Sequence, residues 1–382
     1  MTRDIAWRKG AKILACGLLF ALTGCATVTD RPKPIDLMWP EPPLTPRIKF
    51  VRTLASERDL GRTPTFTELL LEVVAGKKPL AGHLAEPMDI AVTNDGQRVY
   101  VSDYGQGLVY RFDLEKKELT LLGQDRPFAR PFGLALDDAE NLYVVEQDAK
   151  RVRVLDPAGK VVKTFSDPSL ERPTDIAIDR VRGRIYVADP ARKESAEHTV
   201  KVFDMDGKLM DKVGNGKGEC EGCLYFPTYL TVDREGKLYV TNTMIGRVDV
   251  FDSGGKYLKR LGERGNGFGM FDRPKGVALD SFGNIYVVDS GWSNVQIFNP
   301  KGEILLFFGG RGAYPGFLKN PGGIAIDGRN RIYVTDYLNY RVAIYDLVNT
   351  TTEDSFVQIP SVESQAGEKT PKSAGAALTQ KN

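Results

Sequence analysis

The chain has 382 residues, of which 42% are apolar and 27% charged, a balance that excludes a mostly disordered or fibrous protein. Its 52 basic and 50 acidic residues leave a formal charge of +2, without the basic excess that accompanies nucleic-acid binding. Four cysteines are too few for a disulfide scaffold, and two histidines, His83 and His198, disfavour a centre built from three or more histidine ligands.

In chain order, Arg3, Arg8, Lys9 and Lys12 precede the apolar run Ile13–Leu22. A basic start and a run of about ten apolar residues are the parts of an export signal; a spanning helix needs about twenty. The run ends in Leu22-Thr23-Gly24-Cys25, which resembles the bacterial lipobox. That resemblance implies residues 1–24 as a signal peptide and Cys25 as the lipid attachment site. Cleavage removes a charge of +3 and leaves the mature chain near −1. Acyl chains, not a helix, would then hold it to the membrane. By the same resemblance, Ala26 is not an inner-membrane retention residue, so the periplasmic side of an outer membrane is expected if the cell has one.

Residues 25–46 carry Pro32, Pro34, Pro40, Pro42, Pro43 and Pro46, a density that predicts a stiff extended tether. A strand, Arg47–Leu54, stands alone before any repeat. Next, Phe66, Leu69, Leu70, Val73 and Val74 recur at helical spacing behind Pro64, which predicts a short helical insertion over about 64–77. Its polar face carries Glu68 and Glu72, so docking on the fold suits it better than an anionic lipid surface. At the far end, residues 347–382 are polar and rich in Ser, Thr, Lys and Gly, which predicts a disordered tail.

Between these lies a repeat, and a repeat decides the fold. Copies begin at Pro87, Pro131, Pro173, Pro227, Pro274 and Pro321, spaced by 44, 42, 54, 47 and 47 residues. Each runs from proline through an apolar triplet and a turn to apolar-Tyr-Val-x-Asp. Alternating apolar residues with β-branched and aromatic enrichment give four strands per copy, the content of one propeller blade. The sixth copy lacks a fourth strand, and Arg47–Leu54 can supply it. Closure of the ring would also remove the free sheet edge that an open array exposes.

The Pro-x-Gly-Val-Ala-x-Asp, Ile-Tyr-Val-x-Asp and Arg-Val-x-x-Phe-Asp elements resemble NHL repeats. Six of them resemble an all-β, six-bladed β-propeller, here spanning 47–346. The lipobox, Trp39–Pro43, Pro46-Arg47-Ile48 and Asp59-Leu60-Gly61 are similar to those of bacterial propeller lipoproteins. The resemblance implies the fold; function must come from the site.

Departures from the repeat mark candidate sites. The acid after strand two is Asp103, Glu146, Asp189, Asn242, Asp289 or Asp336, and recurrence in every copy suits capping of each blade's own turn. Two residues after the proline, Gly133, Gly276 and Gly323 alternate with Asp89, Asp175 and Tyr229. In a propeller this position lies near the mouth of the central channel, where two carboxylates and a phenol could hold a cation or polar ligand. Calcium is the cation such oxygen ligands suit, with Asp89, Asp175 and Glu146 as the candidate ligands; no other cofactor is expected. Loops between strands two and three carry Tyr104, Met244, Ile245, Trp292, Tyr337, Leu338 and Tyr340, large apolar groups that suggest a partner surface. His198, in the charged loop after Pro190, reads as an exposed loop residue. Cys220-Glu-Gly-Cys223 reads as a local structural disulfide, with redox work as the second reading.

Two functions are therefore carried forward. The first is a membrane-anchored, monomeric binding or scaffold propeller that presents one loop face to an envelope protein, peptide or glycan, with no nucleic-acid role. The second is a lyase or lactonase-type enzyme, assisted by calcium or zinc, at the channel mouth. A histidine-rich zinc pattern is not reproduced by His83 and His198.

Overall fold

The computed structural model describes residues 36–61 and 82–351. Six antiparallel sheets follow one another along the chain. Blade 1 holds Pro87–Val92, Arg98–Asp103, Leu108–Asp113 and Glu118–Leu122. Blade 2 holds Pro131–Leu136, Leu142–Glu146, Arg151–Leu155 and Val161–Ser166. Blade 3 holds Ile176–Asp179, Arg184–Asp189, Thr199–Asp204 and Leu209–Val213. Blade 4 holds Pro227–Val232, Leu238–Asn242, Arg247–Phe251 and Tyr257–Leu261. Blade 5 holds Pro274–Leu279, Ile285–Asp289, Asn294–Phe298 and Ile304–Gly309. This is the six-bladed propeller that the repeat implies.

Blade 6 closes the ring. Pro321–Ile326, Arg331–Asp336 and Arg341–Leu347 are joined by Ile48–Leu54, with Phe50 opposite Tyr345 and Leu54 opposite Val342. The N-terminal strand thus fills the missing fourth position. A fifth strand, Met38–Trp39, adds outside it. Met38–Trp39, expected to be part of an extended tether, is thus a strand of the blade 6 sheet. The Trp39 ring packs edge-on against Tyr345 and lies 6.1 Å from Phe308, a contact that a purely compositional reading of the proline-rich segment misses. The expected helix over 64–77, Cys25 and nearly all of the tail lie outside the described residues. Among the described residues, no helix is long and apolar enough to cross a membrane.

Burial explains the strand grammar. Second strands such as Leu142–Glu146 and Ile285–Asp289 are buried at every position, because neighbouring blades cover both faces. Outer strands such as Val161–Ser166 are mostly exposed. The core is not one mass but six clusters, one at each interface between adjacent blades. The repeated tyrosine of the Tyr-Val pair has a shared task in four blades. Tyr143, Tyr239, Tyr286 and Tyr333 donate to Asp137, Asp233, Asp280 and Asp327 at 3.1–3.3 Å, tying strand two to the turn before it.

Candidate functional site

Inner strands start on one face, here the top, where the loops after strands two and four also lie. Each acid after strand two is fully or almost fully buried at this end. Asp103 accepts the N–H of Ala85, Glu146 that of Ala129, Asp189 those of Glu171 and Arg172, Asn242 that of Tyr225, and Asp336 that of Lys319. Asp289 accepts from Asp272 and Arg273, and also from Gly291 and Trp292 of its own turn. Asp103 and Asp189 likewise take backbone N–H groups of their own turns, at Gln106 and Ala191. The capping expected of every copy is not made by Glu146, Asn242 or Asp336, whose other bonds go to side chains or to Cys223. In every blade the residue anchors the loop that leads into that blade, some 17 residues earlier, which a scan for local Asx turns cannot see.

Glu146 is the variant of this device. Its carboxylate takes Arg151 at 2.6 Å and Arg153 at 2.6 Å. Burial alone would raise this carboxyl; the bonds from Arg151, Ala129 N–H and Arg153 outweigh it and hold it below the usual range. Glu146 is thus not brought to Asp89 and Asp175 as a third ligand. Among the described residues, no group of three or more His, Cys, Asp or Glu side chains is arranged to hold a metal.

Asp89, Asp175 and Tyr229 do come together, as a buried plug that lines one end of the central cavity. The inner strands slip register just after their prolines, as between Pro87 and Ile90 or Pro131 and Leu134. Such a bulge frees amide N–H groups that burial cannot leave unpaired. Asp89 accepts from Leu134 of the next blade at 2.8 Å and from Ile90. Asp175 accepts from Ile176 and from Leu230 of the next blade, both at 2.8 Å. Ser102, Thr241 and Thr335 hydroxyls take the N–H groups of Asp89, Tyr229 and Gly323. The Tyr229 hydroxyl crosses to the Met88 carbonyl at 3.3 Å. The glycines of the alternation make room: a Cβ at Gly133 would lie 2.5 Å from Asp175 Cα, and one at Gly323 would overlap the Asp89 carboxylate.

The two carboxyls also bond to each other. Burial pushes Asp89 up to about 7. Burial and the neighbouring Asp89 charge raise Asp175 well above the usual carboxylate range. Carboxyls so raised and already accepting amide N–H groups differ from the open, charged donors that a hard cation takes. From Asp89, Asp175 and Tyr229, which line its upper end, a cavity of about 610 Å3 runs along apolar inner-strand residues to Asp138, Arg180 and Arg234 in the turns of the opposite face.

The aromatic loop residues divide into two groups. Tyr104 is half-buried: its hydroxyl bonds Gln147 at 3.0 Å, Arg130 lies 5.2 Å over its ring, and Phe132 packs edge-on. Ile245 and Tyr337 are half-buried too. Met244, Trp292, Leu338 and Tyr340 are not, and Tyr314 joins them; the five are between 39% and 80% exposed. Hydrogen bonds link their loops into one strip. Arg264 donates to the Met244 carbonyl, Trp292 Nε1 to Gly265, Arg311 to Gly291, Asn339 to Gly312 and Arg341 to Tyr314. Sequence reading missed Tyr314 because it lies in the loop after strand four. The signal was there, as a lone aromatic in the glycine-rich Gly310–Gly316 segment. Exposed Arg264, Arg273, Arg311 and Lys319 border the strip, against Glu263 and Asp272.

His198 corrects an expectation. It is fully buried, not exposed, with Tyr225 at 5.3 Å and Phe226 at 5.0 Å. The long loop of blade 3 folds back onto the chain leading into blade 4, and burial lowers the imidazole pKa. Cys220 and Cys223 are bonded to each other.

Comparison with known proteins agrees with this architecture. A family model described as SMP-30/Gluconolactonase/LRE-like region matches residues 81–188, and one described as a 6-bladed beta-propeller matches 221–291. Protein brain tumor of Drosophila melanogaster is 26% identical over 140 residues, 35% of this chain but only 12% of that protein. A Bacteroides thetaiotaomicron protein of unknown function superposes with TM-score 0.56 at 15% identity, covering 70% of this chain and 71% of its own. A Xanthomonas campestris gluconolactonase superposes with TM-score 0.53 at 19% identity, covering 69% of this chain and 87% of its own. At these identities the likeness is one of fold.

Proposed function

We propose that this protein is a lipid-anchored, extracytoplasmic binding propeller that docks an acidic polypeptide on the top face of blades 4–6. The observation that carries the reading is the exposed strip of Met244, Trp292, Tyr314, Leu338 and Tyr340 across three consecutive blades. Large apolar side chains exposed on neighbouring, hydrogen-bonded loops are the kind of surface that marks an interaction site. Met, Trp, Tyr and Arg are the types enriched in protein interfaces. Met244 and Leu338 offer little to the stacking that a sugar ring seeks, so a polypeptide suits the strip better than a glycan. Arg264 and Arg273 pair with Asp272, and the exposed Arg311 and Lys319 leave a positive edge beside the strip that favours an acidic partner. A formal charge of +2 over the whole chain supplies little of the field that nucleic acid requires.

Anchoring rests on the lipobox-like Leu22–Cys25 and the proline-rich stretch that follows it. A Cys25→Ser variant is expected in the soluble fraction instead of with membranes. The lyase or lactonase alternative needs free carboxylates at the channel mouth, whereas Asp89 and Asp175 are spent on amide groups of their own and neighbouring blades.

The test is a crosslinking pull-down from detergent-solubilised envelope, with wild type beside the Trp292→Ala, Tyr314→Ala, Tyr340→Ala triple variant. Wild type should retain one acidic polypeptide, identifiable by mass, and the variant should lose it while keeping its melting temperature. Retention by both, or by neither, overturns the reading.

A further inference from the structure

We infer that Cys220 and Cys223 form a thiol–disulfide exchange site that a dithiol can reduce without loss of the fold, and not a brace for the loop that carries them. The molecule contains its own control. The loop 216–224 recurs as 263–271 before blade 5 and 310–318 before blade 6, with the same internal bonds. Cys223 N–H donates to the Cys220 carbonyl at 3.0 Å, Met270 to Gly267 at 3.1 Å, and Phe317 to Tyr314 at 3.1 Å. Leu224 donates to Gly216, Phe271 to Glu263, and Leu318 to Gly310, at 2.8–2.9 Å. The bridges Lys217–Leu224, Arg264–Phe271 and Arg311–Leu318 are equivalent as well.

Two of these three loops hold that shape with Gly267 and Met270, or Tyr314 and Phe317, where the first has its cysteines. What holds the shape instead is a side chain from strand three. Arg247 donates to the carbonyls of Glu219, Cys220 and Cys223, and Arg341 does the same for Tyr314 and Phe317. Gln296 takes the Met270 carbonyl. A bond closing only four residues also removes little entropy from the unfolded chain. Architecture therefore gives no reason for the pair.

Exposure gives one. Cys220 is open to solvent and Cys223 is buried, which sets the order of attack. A thiolate of an incoming dithiol attacks Cys220 Sγ. The S–S bond breaks, and its electron pair leaves on Cys223 Sγ, which takes a proton. The second thiolate then attacks its own partner sulfur in the mixed disulfide, expelling Cys220, which is protonated in turn. Two electrons and two protons pass to the pair, and the dithiol becomes a disulfide. Arg247, on both cysteine carbonyls, keeps the backbone in place throughout. The inference holds whether or not the aromatic strip docks a polypeptide.

The test uses the full folded chain, with dithiothreitol as a small dithiol and reduced thioredoxin as a protein dithiol. Reduction is followed by alkylation and mass, in buffer without denaturant. Both cysteines should be alkylated after either donor, or after dithiothreitol alone if the site serves small dithiols. The Cys220→Ser, Cys223→Ser double variant should melt within about 2 °C of wild type. With oxidised glutathione, Cys220 in a Cys223→Ser variant should form a mixed disulfide at least about ten times faster than Cys223 in a Cys220→Ser variant. Reduction only in denaturant, a double variant melting more than about 5 °C lower, or equal rates in the single variants overturns the inference.

Discussion

The top faces of blades 1–3 and blades 4–6 differ in their loops after strand four, which among the described residues share one longer shape only before blades 4, 5 and 6, and in how they use their side chains. In blades 1–3 the aromatic groups and some of the charged ones are consumed by the fold. Tyr104 is tied to Gln147 and Arg130, Glu146 to Arg151 and Arg153, and His198 lies under Tyr225 and Phe226. In blades 4–6 the backbone is held by Arg264, Arg311, Asn339 and Arg341, and Met244, Trp292, Tyr314 and Tyr340 stay in water. These exposed side chains of blades 4–6 are what the proposed docking face rests on.

The comparison breaks first at Glu146. Glu146→Ala leaves Arg153 buried without its partner, and should cost about 3–5 kcal/mol of stability in denaturant unfolding. A loss under about 1 kcal/mol would show that blade 2 does not depend on this cluster. The counterpart on the other half is the Trp292→Ala, Tyr340→Ala pair. It should lower partner affinity at least about 100-fold, since interface anchors contribute 2 kcal/mol or more each, with the melting temperature nearly unchanged.

The channel plug supplies a pH signature. Asp89 and Asp175 have folded pKa values raised above their unfolded value of about 3.9. Between pH 4 and about 7 this pair therefore holds more protons in the folded chain than in the unfolded one, and its contribution to stability should fall as pH rises through this window. The Asp89→Asn, Asp175→Asn variant should flatten that slope, whatever its absolute stability. A slope equal to wild type would contradict the raised pair. The smallest effect is expected at Tyr104. Tyr104→Ala should cost about 1–2 kcal/mol of stability through lost packing and a lost hydrogen bond, with partner affinity retained.

Much of the fold was legible because a propeller repeats its physics. Each blade must present an inner strand, a strand covered on both faces and a turn acid, so proline, Tyr-Val and Asp recur at near-constant spacing. The missing fourth strand and the spare Arg47–Leu54 segment were legible for the same reason. The site was less so. Asp89 and Asp175 stood out as breaks in the glycine alternation, but their partners Leu134 and Leu230 lie 45 and 55 residues away on the next blade. Only the register slip shows that those amides need acceptors. His198 sat in a charged loop, and Tyr225 and Phe226, which cover it, arrive from the following blade. Burial between blades is a long-range property, and a local composition window does not hold it.

The most direct measurement places a photo-crosslinking amino acid at position 292, 340, 106 or 150 of the intact anchored protein in cells. The account expects one acidic polypeptide of the same mass from 292 and 340, and none from Gln106 or Lys150, which are exposed on blades 1 and 2. Crosslinking to that species from all four positions, or from 106 and 150 alone, would contradict a docking face on blades 4–6.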